Sequence, residues 1–373
     1  MRHEHLLVIR FSALGDVAMA VPIIWALARQ YPNLRITVLS RPSSRPFFEY
    51  LGPNVNFMAA DLKHEYHGMK GLNALYRRLT AKQFTAVADL HNVLRSNYLR
   101  FLFNVSNYQV AHIDKHRKLR RRLTAPEPKK VLRPIPTSFE NYLDVFTRLG
   151  YPINPENLCF RTIFESPVAP NSQSAANFTG ELPTGNLNLL PITIGPKKSS
   201  EQWIGIAPFA TYKGKIYPQP LMEQVITLLL DRYPKARLFL FGRGEHEEAV
   251  FNEWTARWDR CLYVGSHTEG LYQELILMSH LNVMLSMDSA NMHMASLTAT
   301  PVVSIWGATH PYAGFMGWGQ SEDNALQISD LDCRPCSIYG KKPCQRGDYA
   351  CMNRITPESV VEKISHIIKK EAL

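Results

Sequence analysis

At 373 residues the chain is too long for one compact core and suits two α/β domains, and with 45% hydrophobic and 20% charged residues it is neither disordered nor fibrous. A formal net charge of +10 calls for an acidic partner: nucleic acid, an anionic membrane or a phosphorylated substrate. Arg10 and Asp16 interrupt the apolar start before a signal-peptide core reaches length, and no long uninterrupted apolar run follows, so a cytosolic protein that touches a membrane surface is expected.

Leu6 to Phe11 reads as a short buried strand. It runs into Ser12-Ala13-Leu14-Gly15-Asp16 and then into an apolar helix from Ala18 to Gln30. Gly15 permits a tight turn or the close approach of a ligand. Asp16 falls near the first turn of that helix, at the carboxyl end of the strand, where open α/β sheets gather ligands. It is a candidate functional carboxylate, with a helix cap as the plain alternative. The turn is not G-x-G-x-x-G, so a dinucleotide-binding site has no support. Strands follow over 34–39, 55–59 and 85–90, with a helix over 71–80 between the last two. The 85–90 strand ends in His91-Asn92-Val93-Leu94-Arg95, again at a carboxyl end. This βα rhythm predicts a doubly wound parallel sheet.

Next comes a basic segment: Lys115-His116-Arg117-Lys118, Arg120-Arg121-Arg122, and Lys129-Lys130 with Arg133, broken by Pro126, Pro128, Pro134 and Pro136. It is either a solvated loop or a patch for an anionic acceptor or lipid headgroups. It lacks the interleaved aromatics of a nucleic-acid surface. A helix from Phe139 to Leu149 ends at Gly150, a natural stop.

Residues 166–202, rich in Pro, Ser, Asn, Thr and Gly, read as a linker or insert. A second βα series opens at Trp203, and Lys213 and Lys215 in its first turn are placed to hold phosphates. A helix over 221–233 and a strand over 237–241 lead to Gly242-Arg243-Gly244-Glu245-His246-Glu247. A carboxylate there suits ribose hydroxyls, or simply an acidic helix start. The strongest signal is the apolar strand 281–286 running into Met287-Asp288-Ser289-Ala290-Asn291-Met292-His293. A helix opening at Ser289 or Ala290 would aim free N–H groups and a positive dipole end at a phosphate. The bland alternative makes Asp288 an N-cap and His293 a half-buried helix residue. Strand 301–306 and Gly307-Ala308-Thr309-His310-Pro311 complete the series. Two such series predict two similar lobes with a ligand-collecting cleft between them.

Of six cysteines, Cys159 and Cys261 are isolated, and Cys333, Cys336, Cys344 and Cys351 cluster as C-x2-C-x7-C-x6-C. Zinc, a disulfide formed after isolation, and idle thiols all remain open from this spacing.

Collected together, these turns resemble glycosyltransferase family 9, which includes the ADP-heptose:lipopolysaccharide heptosyltransferases. Arg10-Phe11-Ser12-Ala13-Leu14-Gly15-Asp16 is similar to the family's R-x-S-x-x-G-D, and Lys215-Ile216-Tyr217-Pro218 to K-x-W-P. Asp288-Ser289-Ala290-Asn291-Met292-His293 is similar to D-[ST]-G-x-x-H, and Gly307-Ala308-Thr309-His310-Pro311 to G-x-T-x-P. Ala290 in place of Gly and Tyr217 in place of Trp are departures.

The resemblance implies a GT-B fold of two Rossmann-like, doubly wound lobes. The expected domains are an acceptor-binding one over 1–165, a linker or insert over 166–202, a nucleotide-sugar-binding one over 203–356, and a C-terminal helix over 357–373 crossing back to the first lobe. It implies inverting transfer of heptose from ADP-heptose to a lipopolysaccharide inner-core acceptor, with no metal or cofactor required. It places Asp16 as general base and Thr211, Lys215, Glu245 (or Glu247), Asp288, Ser289, Ala290 and His293 on the donor. Ser12, Gly15, His91, Arg95, Lys118, Arg120 and Arg121 would meet an anionic, lipid-linked glycan. The enzyme would then work in the cytoplasm, peripherally at the inner membrane. The alternatives are a GT-B enzyme using another nucleotide sugar for capsule or O-antigen, and a non-catalytic binding protein of the same fold.

Overall fold

The structure is a computed structural model and describes residues 4–49, 51–154, 190–191 and 193–371. Cys159 and most of the expected linker lie outside the described residues. The chain forms two compact units: Met1–Lys115 with Pro136–Ile163, and His116–Ile135 with Phe164–Leu373. The basic segment, read from sequence as part of the first domain, therefore groups with the second unit.

The first unit runs β1 (His5–Ile9), α1 (Leu14–Gln30), β2 (Arg35–Ser40), β3 (Val55–Ala59), α2 (Gly68–Thr80), β4 (Ala86–Asp89), α3 (Leu94–Val105) and β5 (Gln109–His112). The chain then enters α4 (Arg117–Leu123), which belongs to the second unit, and returns with α5 (Ser138–Arg148). The five strands are parallel in the order β3-β2-β1-β4-β5. β1 is buried along its whole length, as expected of a parallel strand covered on both faces, and after the buried His5 it reads as the apolar run Leu6–Ile9. The helix α1 begins at Leu14 rather than Ala18, because the Ala13 N–H is taken up by the side chain of Asp16, its third residue.

The second unit runs β6 (Trp203–Ala207), α6 (Gln219–Arg232), β7 (Arg237–Leu240), α7 (Glu245–Arg257), β8 (Cys261–Tyr263), α8 (Leu271–Ser279), β9 (Val283–Met287), α9 (Ala290–Leu297), β10 (Val302–Ile305), β11 (Ala325–Leu326), α10 (Ala350–Asn353) and α11 (Pro357–Glu371). Its six strands are parallel in the order β11-β10-β9-β6-β7-β8. Val360, Ile364 and Ile367 of α11 recur at helical spacing and are buried in this unit's core beside Val225 and Leu229 of α6. Full burial of side chains of this size contributes about 1.5–3 kcal/mol each. The apolar face of α11 is thus packed in the second unit. No described helix is long and apolar enough to cross a membrane.

Candidate functional site

In each sheet the strand order reverses at one place: between β1 and β4 in the first unit, and between β6 and β9 in the second. Where order reverses, the connections leaving the carboxyl ends run in opposite directions and open a crevice. Some of the residues singled out from sequence lie at these two places: Ser12, Asp16 and His91 at the first, and Lys215, Asp288, Ser289 and Ala290 at the second.

In the first unit, Arg10 follows β1 and is buried. Its Nη2 lies 2.6 Å from Asp16 Oδ2, and that oxygen also accepts the Ala13 N–H at 3.1 Å. Asp16 is therefore both a helix cap and an ion-pair partner. Its side chain is 31% exposed, against 7% for Arg10. Burial alone would lower the Arg10 pKa, but the carboxylate of Asp16 reverses this and raises it. From α5, the Tyr142 hydroxyl donates to the Asp16 carbonyl at 3.2 Å and anchors this turn of the helix.

Beyond β4, the fully buried Asp89 folds the next turn. Its Oδ1 accepts the His91 and Asn92 N–H groups at 2.9 Å each, and its Oδ2 meets Arg100 at 3.2 Å. That turn brings His91 Nε2 to 3.5 Å from Ser12 Oγ. Burial first, and the charge of Arg10 second, push the His91 pKa down to about 3, so its ring is neutral near pH 7. Ser12, Gly15, Asp16 and His91 thus meet at one sheet edge. Arg95 is exposed on the first turn of α3.

In the second unit, a short turn over Lys213–Lys215 follows β6. Lys215 Nζ lies 3.1 Å from Asp288 Oδ2, with the side chains 16% and 5% exposed. Asp288 follows β9 directly. Ser289, not Asp288, is the N-cap of α9, and its hydroxyl makes no capping bond, lying instead 3.3 Å from Ser286 Oγ. The Asp288 carboxylate pairs with the lysine. Ala290 opens the helix, and His293 is buried within it. Thr211 is exposed at the start of the lysine turn. Lys213 turns aside, its Nζ 4.9 Å from the centre of the Tyr349 ring.

The two acidic candidates at the start of α7 separate. Glu247 accepts the Arg243 N–H at 2.9 Å and is half-buried, and burial raises its pKa. It is occupied in building its own turn. Glu245, the first residue of α7, is exposed.

The basic residues expected to join Ser12 and His91 on the acceptor sit in the other unit. On α4, Lys118 and Arg121 are exposed, whereas Arg120 donates to the Tyr339 hydroxyl at 2.6 Å and lies over the Phe315 and Tyr339 rings. Tyr217, the departure from Trp, is buried and donates its hydroxyl to the Ile355 carbonyl at 2.7 Å. The ring keeps the packing role, and the hydroxyl ties the turn to the chain's tail.

Sequence reading misses three groups. Arg10 lies within the first motif, but its type and place there suggest no role. Asp89 with Arg100 carries no spacing signal. Arg334, between two cysteines, is buried and donates to the carbonyls of Gly307 at 2.6 Å, Trp306 at 3.0 Å and Thr309 at 3.1 Å. It holds the turn after β10. There the buried Thr309 hydroxyl has no partner among the described residues, and His310 is pushed down to about 4 by burial and by Arg334. Around Arg334, Cys333, Cys336, Cys344 and Cys351 line one small cavity as free thiols. Burial raises the pKa of Cys336, and that of Cys351 to about 11, so both stay protonated near neutral pH.

Comparisons with known proteins meet this geometry. The family model described as Glycosyltransferase family 9 (heptosyltransferase) matches residues 72–344. A lipopolysaccharide core heptosyltransferase, OpsX, of Haemophilus influenzae is 20% identical over 320 residues, covering 83% of this chain and 80% of the relative. Among solved structures, the family 9 glycosyl transferase of Veillonella parvula superposes with a TM-score of 0.68 at 16% identity, over 99% of this chain and 98% of that one. The ADP-heptose lps heptosyltransferase II of E. coli superposes with a TM-score of 0.64 at 18% identity, over 99% of this chain and 100% of that one. The fold is that of these GT-B enzymes.

Proposed function

The chain belongs to glycosyltransferase family 9, the heptosyltransferase family, and from that premise we propose that it moves heptose, with inversion, from ADP-heptose to the inner core of lipopolysaccharide. The observation that carries the reading is the pair of ion pairs at the two strand-order reversals, Arg10–Asp16 and Lys215–Asp288.

Asp16 is the general base. Its carboxylate takes the proton of the acceptor hydroxyl as that oxygen attacks the anomeric carbon, and the bond from that carbon to the diphosphate breaks. An adjacent guanidinium favours the ionised carboxylate, so Arg10 keeps Asp16 able to accept a proton. The departing ADP gains negative charge, which Lys215 and the N–H groups at the start of α9, from Ser289 and Ala290, meet. Asp288 orients Lys215 and offers an acceptor to sugar hydroxyls. Thr211 and His293 complete the donor contacts, and Glu245 takes the ribose. Ser12, Gly15, His91 and Arg95 receive the acceptor sugar. Lys118, Arg120 and Arg121 meet acidic groups on the lipid-linked acceptor, with Leu119, Val131 and Leu132 exposed among them for the cytosolic face of the inner membrane. In this reading Lys215 and the N–H groups at the start of α9 meet the leaving diphosphate in place of a metal ion.

A thermal-shift titration with ADP, UDP, GDP and ADP-heptose tests the donor, because a ligand of the native state raises its melting point. The expected result is a shift with ADP and ADP-heptose only, and transfer unchanged by EDTA. A shift with UDP or GDP alone overturns the donor, and loss of transfer in EDTA overturns metal independence.

A further inference from the structure

The tail of the second unit passes over the lysine turn. The Cys336 and Ser337 N–H groups both donate to the Ala308 carbonyl at 3.1 Å, and the Ala308 N–H donates to the Gly214 carbonyl at 2.8 Å. This short ladder fixes the tail against the turn that holds Lys215. Next in the tail stands Gly340, at φ +73. A Cβ there would lie 2.7 Å from Lys215 Cδ and closer still to its Cγ. On the facing side, a Cβ on Gly214 would lie 3.1 Å from the Gly340 carbonyl oxygen. The two glycines therefore meet backbone to backbone, and the stem of Lys215 runs through the space that a side chain at 340 would fill. Gly68, Gly150, Gly244 and Gly347 also take positive φ, yet a Cβ on any of them meets nothing within 4 Å. Left-handed backbone explains a glycine at those positions. At position 340 a second demand is present, and it is a demand of the lysine.

We propose that Gly340 is a positioning residue for Lys215: its bare α-carbon forms the slot that directs the ammonium to Asp288 and to the diphosphate of an incoming nucleotide. The inference rests on the reading that Lys215 holds the diphosphate. The ammonium ends a long stem with several rotatable bonds, and confining that stem reduces the ordering cost when a phosphate arrives. Tyr349, farther along the same tail, engages Lys213, so the tail leaves Lys215 as the lysine of this turn that meets Asp288.

The experiment is calorimetric titration of the full chain with ADP, using Gly340→Ala, Gly347→Ala, Lys215→Ala and the Gly340→Ala/Lys215→Ala double variant. Gly347→Ala carries the same left-handed strain (φ +80) with no neighbour to disturb. Gly340→Ala is expected to weaken ADP binding roughly 5- to 10-fold and Gly347→Ala less than about two-fold. In the Lys215→Ala background, Gly340→Ala should change affinity less than about two-fold. Equal losses in the two glycine variants would show backbone strain alone and overturn the proposal, as would a Gly340→Ala loss that persists without the lysine. If Lys215→Ala leaves ADP affinity intact, the phosphate role of Lys215 falls and the proposal falls with it. If Lys215→Ala weakens binding and Gly340→Ala does not, only the positioning role falls.

Discussion

The two sheet edges use the same parts with opposite exposure. In Arg10–Asp16 the cation is buried and the carboxylate is 31% exposed; in Lys215–Asp288 the carboxylate is buried and the cation is the more exposed partner. Burying one member of a pair is tolerable because the other compensates its charge. The member left more toward solvent is the more open of the two to a substrate. The first edge thus presents a proton acceptor and the second a cation for phosphate. That division is what an inverting transfer from a nucleotide sugar requires, and it depends on which residue of each pair stands directly after its strand.

The largest expected effect tests the exposed carboxylate. Asp16→Asn should lower transfer by roughly 10²-fold or more, the usual scale for a lost general base. ADP affinity should stay within about two-fold, since the change lies in the other unit from the phosphate contacts. A variant with most of its activity would end the comparison by removing Asp16 from the chemistry.

The exposed cation comes next. Lys215→Ala should weaken ADP binding about 10-fold or more, the scale of a lost charge-assisted hydrogen bond. It should also lower the melting temperature of the free protein, because Asp288 is left buried without its partner. Adding Asp288→Asn should restore the melting temperature without restoring ADP affinity. Restoration of both would mean the pair is only structural.

A smaller effect contrasts the edges by pH. His91 protonates near pH 6.5 when unfolded but only near pH 3 when folded. The unfolded state therefore binds the extra proton first, and stability is lost as pH falls from about 6.5 toward 3. One pH unit inside that window corresponds to about 1.36 kcal/mol, so roughly 2 kcal/mol is lost by pH 5 from this group. His91→Gln should melt with a flatter dependence between pH 7 and 5. An equally steep wild-type-like profile would place the loss elsewhere, with His310 of the second unit, pushed down to about 4, the next group to replace.

The smallest effect separates the two acidic residues of α7. Glu245→Gln should raise the KM for the nucleotide sugar a few-fold, by the loss of one hydrogen bond, with kcat little changed. Glu247→Gln should act on thermal stability instead, because Glu247 is engaged with the Arg243 N–H. The reverse pattern would exchange their roles.

Much of this is legible along the chain. Buried parallel strands are apolar runs, so β1, β4, β6, β9 and β10 declare themselves, and the short polar turns after them declare the candidate sites. Asp16, Lys215 and Asp288 each stand out as charged residues in a turn that leaves an apolar strand. Their partners are less accessible. Arg10 and Asp16 are near in sequence, but Lys215 and Asp288 meet only because β6 and β9 are adjacent in the sheet. Asp89 reads as an ordinary strand end; the fold buries it and makes it the acceptor for its own turn.

The basic segment shows the remaining limit. Its charge is plain in sequence, but its assignment to the second unit depends on contacts distant along the chain, such as Arg120 with Tyr339 and Lys130 with the Arg334 carbonyl at 3.1 Å. The sequence by itself determined the two βα series, the turns that carry chemistry and the identity of the charged residues, because hydrophobic period and turn chemistry are local. Only the tertiary structure decided which member of each ion pair is buried, that Ser289 rather than Asp288 stands at the N-cap position of α9, and that Gly340 lies against Lys215. Those outcomes depend on strand order and on long-range packing, which no local pattern encodes.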